Sequence, residues 1–203
     1  MRTLFLNPPS FQGFDGGAGA RWQARREIRS FWYPTWLAQA AALIDDSKLV
    51  DASADDLTCD DVMRIAADYQ LVVVFTSTPS LPNDAALAAR IKAQRPETLI
   101  SFVGPHVSVL PEETLAQAPA VDFVVRREFE YPLQRVARGE LLRDVPNVSW
   151  RDGKAIIHNE QAELLRDLDQ LPSVMPIYKR DLTIENYYIG YLMHPYVSLY
   201  AGR

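Results

Sequence analysis

Two apolar runs of this 203-residue sequence end in clusters of small and polar residues that could contact a ligand. After residues 71–75 come four hydroxyl side chains within five positions, of which Ser77, Thr78 and Ser80 are candidate binding residues. Small hydroxyl residues leave room for a ligand while they hydrogen-bond its phosphate or amide groups. The alternative is that these hydroxyls only cap the helix expected at residues 83–94, through local bonds to its backbone.

The second run, residues 98–103, is followed by Gly104, Pro105 and His106 and then by a helix expected at residues 111–117. A glycine at the end of a strand has no side chain, so a ligand can approach the backbone closely. We therefore expect a second binding loop here. The alternative is that the Gly-Pro pair only makes a turn and that the carboxylates opening the helix only favour its dipole.

The elements that must position these loops alternate along the first part of the chain. Apolar, β-prone runs predict five strands, at residues 3–6, 48–51, 71–75, 98–103 and 121–125. Helical patterns follow the loops between them, at residues 34–44, 59–69, 83–94, 111–117 and 131–138. Such alternation forces parallel pairing through right-handed crossovers. It predicts a three-layer, doubly wound α/β domain of flavodoxin-like or Rossmann-like type over residues 1–140, with a five-stranded parallel sheet whose carboxyl edge holds the ligand.

After residue 140 the pattern predicts a β-hairpin and a linker, over residues 141–186. The hairpin is centred on Asp152-Gly153, and residues 164–177 are expected to be an extended connector. Residues 187–203 contain five tyrosines and end in an apolar stretch that predicts the first strand of a further domain. Its unpaired edge would either fold back on the domain or pair with a second copy, and we expect a homodimer through this segment.

Composition and charge argue against several classes of function. A net charge of −5 argues against a nucleic-acid partner, which needs a concentrated basic surface. Cys59 is the only cysteine, so the chain forms no internal disulfide and no multi-cysteine metal site, and a reducing, cytoplasmic location fits. No apolar run approaches the ~20 residues of a membrane span. The glycine-rich stretch after Pro9 matches no phosphate-binding loop but is long enough to be a functional loop.

The loops of this chain resemble those of one known family. Asn7-Pro8-Pro9, the hydroxyls after the third strand, Gly104-Pro105-His106 and the hairpin with its Leu-Pro linker are together similar to the amino-terminal cobalamin-binding domain of cobalamin-dependent radical SAM enzymes. The resemblance covers nearly all of the chain and implies that cobalamin is its cofactor. It implies the following cofactor-binding residues, none of them catalytic: Asn7, Pro8, Ser77, Thr78, Ser80, Gly104, Pro105, His106 and Glu128.

The resemblance also implies a larger parent enzyme. In that family a radical SAM barrel begins at a strand similar to residues 196–203, and a CxxxCxxC loop then binds a 4Fe–4S cluster that works with S-adenosylmethionine. This chain is expected to be truncated before that loop and to be inactive alone. Residues 126–130 and the tryptophan- and arginine-rich early loop are most similar to family members of hopanoid biosynthesis, which form the cyclitol-ether side chain of bacteriohopanepolyols. This would make the parent's substrate a lipid.

Two departures from the family pattern change what is expected of the site. The DxHxxG motif, which supplies a histidine under cobalt, is absent after the first strand, where Asn7, Pro9 and Gln12 stand at the corresponding spacing. We therefore expect cobalt to have no histidine ligand from that loop. Arg127 and Phe129 replace the glycines that usually flank the glutamate of the fifth-strand loop, which argues against a close corrin approach there.

The alternative function is a flavodoxin-like or receiver-like module without cobalamin, because such domains share this architecture. A receiver has clustered acidic residues after its first strand and a lysine after its fifth. This chain has Asn7-Pro8-Pro9 and arginines at those places. A further alternative is an interaction domain that binds no corrinoid.

Overall fold

The computed structural model describes residues 1–9, 32–188 and 193–199. Within these ranges the strands are β1 (Thr3–Asn7), β2 (Ser47–Asp51), β3 (Leu71–Phe75), β4 (Leu99–Val103), β5 (Phe123–Val125), β6 (Val148–Asp152) and β7 (Ala155–His158). The described α-helices are α1 (Thr35–Ala42), α2 (Cys59–Ala66), α3 (Leu81–Gln94), α4 (Pro105–Val109), α5 (Pro111–Gln117), α6 (Glu130–Ala137) and α7 (Met175–Asp181). The early loop of residues 10–31, which includes Gln12, lies outside the described residues.

One sheet contains all seven described strands, in the order β2-β1-β3-β4-β5-β6-β7. The first five are parallel, which confirms the doubly wound α/β prediction. The predicted count of five strands is wrong, because the hairpin joins the same sheet. β6 pairs antiparallel with β5, with Phe123 opposite Trp150, and β7 pairs with β6. β5 has only three residues and would otherwise leave an unpaired apolar edge.

Both faces of the sheet are covered by helices, so the core has two halves. Phe5, Val73 and Phe123 belong to one half, which packs against α1, α6 and α7. Leu6 and Val74 belong to the other, which packs against α2, α3 and α5. Because the central strands are buried on both sides, their apolar residues form unbroken runs rather than alternating with polar ones.

Helix α7 occupies part of the segment that was predicted to be an extended connector. Pro176 lies in its first turn, where the missing N–H leaves no helical bond unmade. The buried side chain of Tyr178 packs into the half of the core that also contains the apolar residues of α1. At the end of the helix, Asp181 accepts a hydrogen bond from the N–H of Leu49 (2.8 Å), which lies on the outer edge of β2. α7 therefore helps to close that edge of the sheet.

The hairpin is held against α5 by one arginine. Arg151 of β6 donates hydrogen bonds to the carbonyl oxygens of Leu115 and Ala118, at the end of α5, and of Val121. The last carbonyls of a helix have no partner within it, so Arg151 satisfies acceptors that would otherwise need water. The hairpin is thus tied to the helical layer as well as to the sheet.

The described part of the tail lies against the domain. Tyr187 is buried beside Tyr33, and Tyr196 contacts the same ring. Pairing of residues 187–203 with a second copy stays a prediction. Among the described helices, none combines the length and the hydropathy needed to cross a bilayer.

Candidate functional site

The hydroxyl loop after β3 is folded around one buried carboxylate. Asp84, near the start of α3, accepts hydrogen bonds at Oδ2 from Thr76 Oγ1 (2.7 Å) and from Ser80 Oγ (2.8 Å). The hydroxyl of Ser77 lies 2.9 Å from that of Ser80. Ser80 is at the N-cap of α3, yet its hydroxyl binds this carboxylate and makes no capping bond to the helix backbone. Three hydroxyls therefore hold the loop in place, while Thr78 is exposed.

Gly104 makes a very close contact between the β4 loop and the β3 loop. Its backbone has φ +117° and ψ −176°, a region that is essentially limited to glycine. A Cβ at this position would lie 2.5 Å from the carbonyl oxygen of Thr76. The sequence predicted a close approach to the backbone at Gly104, and in the structure the approaching group is this carbonyl.

The β5 loop is joined to the same place by Ser108. Its Oγ donates a hydrogen bond to the carbonyl oxygen of Gly104 (3.0 Å) and accepts one from the N–H of Arg127 (2.9 Å). Arg127 is exposed and has φ +59°. The Gly104–Thr76 contact and the two hydrogen bonds of the Ser108 hydroxyl thus connect the loops after β3, β4 and β5 at one edge of the sheet.

His106 follows Gly104 and the exposed Pro105, and it contacts the hydroxyl loop. The residue is 5% exposed, and its Nδ1 lies 3.0 Å from Thr78 Oγ1. Its Nε2 is buried and has no hydrogen-bond partner in the described part of the chain. A buried polar atom without a partner destabilises a fold by ~1–3 kcal/mol, so this nitrogen marks unused hydrogen-bonding capacity.

Asn7 and Asp51 form a buried pair at the ends of β1 and β2, where they are opposite each other in the register. Asn7 Nδ2 donates to Asp51 Oδ1 (2.6 Å), and the hydroxyl of Tyr187 donates to Asp51 Oδ2 (2.9 Å). Burial raises the pKa of the Asp51 carboxyl from 3.8 to about 6, against the lowering effect of these two hydrogen bonds. Asn7 Oδ1 is buried without a hydrogen-bond partner among the described residues.

Sequence reasoning selected Asn7 but missed Asp51 and Tyr187. A carboxylate that directly ends an apolar strand was the available signal for Asp51. Tyr187 gave no such signal, because it lies 136 positions away along the chain and only folding brings it to Asp51.

Pro8 and Glu128 complete the set of predicted site residues. The carbonyl oxygen of Pro8 accepts a hydrogen bond from Ser53 Oγ (3.0 Å), and Ser53 lines a cavity of about 360 Å³ beside the ends of β1 and β2. Glu128 Oε2 accepts a hydrogen bond from the N–H of Leu165 (2.8 Å), so its carboxylate contacts the linker. The predicted site residues of the β3 and β4 loops are thus in direct contact with each other. The carboxylate of Glu128 instead bonds the linker at Leu165.

No group of three or more potential metal ligands occurs within residues 1–9, 32–188 and 193–199. Cys59 is exposed in the first turn of α2. At this edge of the sheet, the described residues offer a ligand the hydrogen-bonding atoms Asn7 Oδ1 and His106 Nε2 and the side-chain-free backbone of Gly104.

Comparison with known families gives one family match. A family model described as the B12 binding domain matches residues 23–137. An uncharacterized methyltransferase from Pyrococcus horikoshii is 28% identical over 181 residues, which cover 85% of this chain and 37% of that protein. The anaerobic magnesium-protoporphyrin IX monomethyl ester cyclase of Cereibacter sphaeroides is 25% identical over 185 residues, with 84% and 28% covered. The chain spans about a third of the length of these curated relatives.

A solved structure shares the fold. The radical S-adenosylmethionine methyltransferase TsrM from Kitasatospora setae, solved with cobalamin and a 4Fe–4S cluster bound, superposes with a TM-score of 0.57 at 13% identity. The match covers 84% of this chain and 31% of TsrM. At 13% identity, the similarity between the two structures shows only that they share a fold.

We predict that Gly104→Ala destabilises the protein by ~2–4 kcal/mol, because the new Cβ would meet the Thr76 carbonyl in a backbone region that alanine avoids. Urea unfolding measures this loss. Gly139→Ala is the matched control, since Gly139 also has positive φ (+92°) but no atom within 4 Å of the added Cβ. Equal losses in the two variants would show that the contact with Thr76 is unimportant.

The raised pKa of Asp51 predicts a pH-dependent stability. Below pH 3.8 this carboxyl is protonated in both folded and unfolded chains, and above about pH 6 it is ionised in both. Between these values only the unfolded chain has lost the proton, so Asp51 lowers the free energy of unfolding by ~3 kcal/mol as the pH rises from 4 to 7. Asp51→Asn should remove this slope. A difference between the two proteins that stays constant from pH 4 to pH 7, measured by urea unfolding, would contradict the assignment.

Proposed function

This chain belongs to the B12-binding domain family, and on that premise we propose that it binds a corrinoid at the carboxyl edge of its sheet, as the cofactor-binding part of a cobalamin-dependent radical SAM enzyme. The strand order 2-1-3-4-5 of the parallel part supports this location, because ligands of open α/β sheets bind where the order reverses. Here that point lies between β1 and β3, next to Asn7 and the hydroxyl loop.

The observation that carries the proposal is that Asn7 Oδ1 and His106 Nε2 are buried at this edge without a hydrogen-bond partner among the described residues. The third atom of this kind, Ser101 Oγ, lies within β4. Asn7 is the last residue of β1 and His106 lies just after β4, the two strands that flank β3, at the edge where the ligand is proposed to bind. The corrin ring carries several carboxamide groups, whose N–H can donate to Asn7 Oδ1 and whose N–H or oxygen can pair with His106 Nε2. A phosphoryl group bound by a receiver-like module offers acceptors only and would leave the Asn7 oxygen unpaired.

The chain's own residues would bind and orient the cofactor. Gly104 lets the loop after β4 lie directly against the loop after β3. Beside it, the side chains of Thr78 and His106 are within hydrogen-bond distance of each other and would offer polar contacts to the ligand. Bound cobalamin would supply the organometallic chemistry of its cobalt, which protein side chains lack. No histidine from the first loop would lie under cobalt, since Asn7 and Pro9 stand at the corresponding spacing. Of the other histidines, His158 bonds Ser149 on the outer hairpin.

The wider role is also part of the proposal. S-adenosylmethionine and a 4Fe–4S cluster would bind outside this chain, which has Cys59 as its only cysteine. We propose that the parent acts in formation of the cyclitol-ether side chain of hopanoids, supported by the resemblance of residues 126–130 and the early loop to that branch of the family. Deletion of the coding sequence from its source organism should then abolish cyclitol-ether hopanoids in lipid extracts analysed by mass spectrometry. An unchanged hopanoid profile would contradict this role.

We predict that the purified chain retains hydroxocobalamin through desalting, as seen in its visible absorption. His106→Ala should weaken binding by ~5–10-fold, because one polar contact to the ligand is lost. Gly104→Val should weaken it more, because its Cβ would meet the Thr76 carbonyl and displace the β3 and β4 loops that form the proposed site. His158→Ala is the matched control and should leave affinity unchanged.

The cobalt spectrum should be the same in wild type, His106→Ala, His158→Ala and His194→Ala, because none of the three histidines of the chain is expected under cobalt. Folded wild-type protein that shows no corrin absorption over a range of concentrations would refute corrinoid binding and favour an interaction domain. A spectrum that changes with a histidine substitution would refute only the expected coordination.

A further inference from the structure

The segment after α7 returns to the edge of the sheet where the ligand is proposed to bind. We call its described part, residues 184–188 and 193–199, the C-terminal segment. Tyr187 is 1% exposed, and its ring stacks on that of Tyr33, with the ring centres 4.1 Å apart. Tyr196 meets the same ring edge-on at 5.6 Å. Both tyrosines of the segment therefore pack on the ring of Tyr33.

Hydrogen bonds fix the path of this segment. The hydroxyl of Tyr33 donates to the carbonyl oxygen of Tyr196 (2.7 Å). Asn186 Nδ2 donates to Asp55 Oδ1 (2.9 Å), which lies in the loop after β2. Together with the Tyr187–Asp51 bond, these contacts attach the segment both to the region before α1 and to the end of β2.

Asp51 is the residue that contacts both the segment and Asn7. Asn7 donates a hydrogen bond to one of its carboxylate oxygens and Tyr187 donates to the other. The backbone N–H of Ala54 is a third donor to this carboxylate. The carboxylate is fully buried, and no ion pair with it occurs among the described residues. A buried charge of this kind depends on its hydrogen-bond donors, so loss of one donor makes the others more important.

Asp51 also determines what Asn7 presents to a ligand. A carboxylate can only accept, so it draws the Nδ2 side of the Asn7 amide towards itself. The Oδ1 side, which has no partner, must then face away from Asp51. If Asp51 moves or loses its charge, the amide can rotate and offer a donor in place of an acceptor.

We propose that Asp51 is a positioning residue that couples corrinoid binding at Asn7 to docking of the C-terminal segment through Tyr187. This inference rests on the proposed function. A ligand that uses Asn7 Oδ1 stabilises the arrangement of Asp51 that also accepts from Tyr187. By thermodynamic linkage, the docked segment must then raise the affinity for the ligand by the same factor as the ligand raises the stability of docking.

The first test compares two tyrosine variants by titration calorimetry with hydroxocobalamin. Tyr187→Phe removes the donor to Asp51 but keeps the stacking on Tyr33, and it should weaken binding by ~5-fold or more. Tyr131→Phe is the control, because it removes a tyrosine hydroxyl that bonds the carbonyl oxygen of Gln170, outside the C-terminal segment and away from Asp51. Its affinity should stay within ~2-fold of wild type, below the usual range of coupling.

The second test needs no substitution in the segment. The amide N–H groups of Asn186 and Tyr187 bond the carbonyls of Thr183 and Ile184, so their hydrogen exchange reports docking. Saturating hydroxocobalamin should slow this exchange in wild type and should have no effect on it in Asp51→Asn.

The outcomes separate this inference from the proposed function. If wild type binds hydroxocobalamin but Tyr187→Phe binds equally well, or the ligand leaves the exchange of residues 186 and 187 unchanged, the coupling is refuted and corrinoid binding stands. If wild type binds no corrinoid, the proposed function fails, and the coupling fails with it. If Tyr187→Phe does not fold, the exchange experiment on wild type decides.

Discussion

Five parallel strands end at a common edge, and every polar contact of the candidate site depends on that alignment. The register puts Asn7 opposite Asp51 and Phe75 opposite Val103, so the loops that follow these strands begin side by side. Close packing on both faces sets this register, because a shift by one residue would exchange the side chains of the two core halves and disrupt their fit against the helices. The packed sheet therefore sets where each loop begins, and the contacts among the loops then fix their paths.

Within that frame, the loops are held by bonds that leave two polar atoms unused. Asp84 accepts hydrogen bonds from the hydroxyls of Thr76 and Ser80, and Gly104 lies against the Thr76 carbonyl, so these polar groups have partners within the loops. Asn7 Oδ1 and His106 Nε2 are not satisfied by the described residues. Folded proteins rarely leave buried polar atoms unpaired, and a ligand rich in amide groups would resolve both cases. Membership of the B12-binding domain family agrees with that chemistry.

Much of this could be predicted from the sequence, and the failures have physical causes. Residues 71–75 form a strand with the predicted bounds, because a β-branched apolar run of that length fits only a buried strand. Close approach of a ligand at Gly104 stays a prediction, because the group that lies against this glycine in the structure is the carbonyl of Thr76. The hairpin was recognised from its turn, but its pairing with β5 was not, since pairing depends on which edge is left open after folding. Tyr187 could not be linked to Asp51, because that contact exists only in three dimensions.

Arg151 has a consequence for how this domain can be exchanged between proteins. The family match ends at residue 137, but the outer edge of β5 and the carbonyls of Leu115 and Ala118 find their partners beyond it, in the hairpin. A gene fusion that joined the matched segment to a new neighbour at residue 137 would leave the edge of β5 and these two carbonyls without their partners. The unit that evolution can transplant intact is therefore longer than the unit that sequence similarity outlines, and it includes the two antiparallel strands.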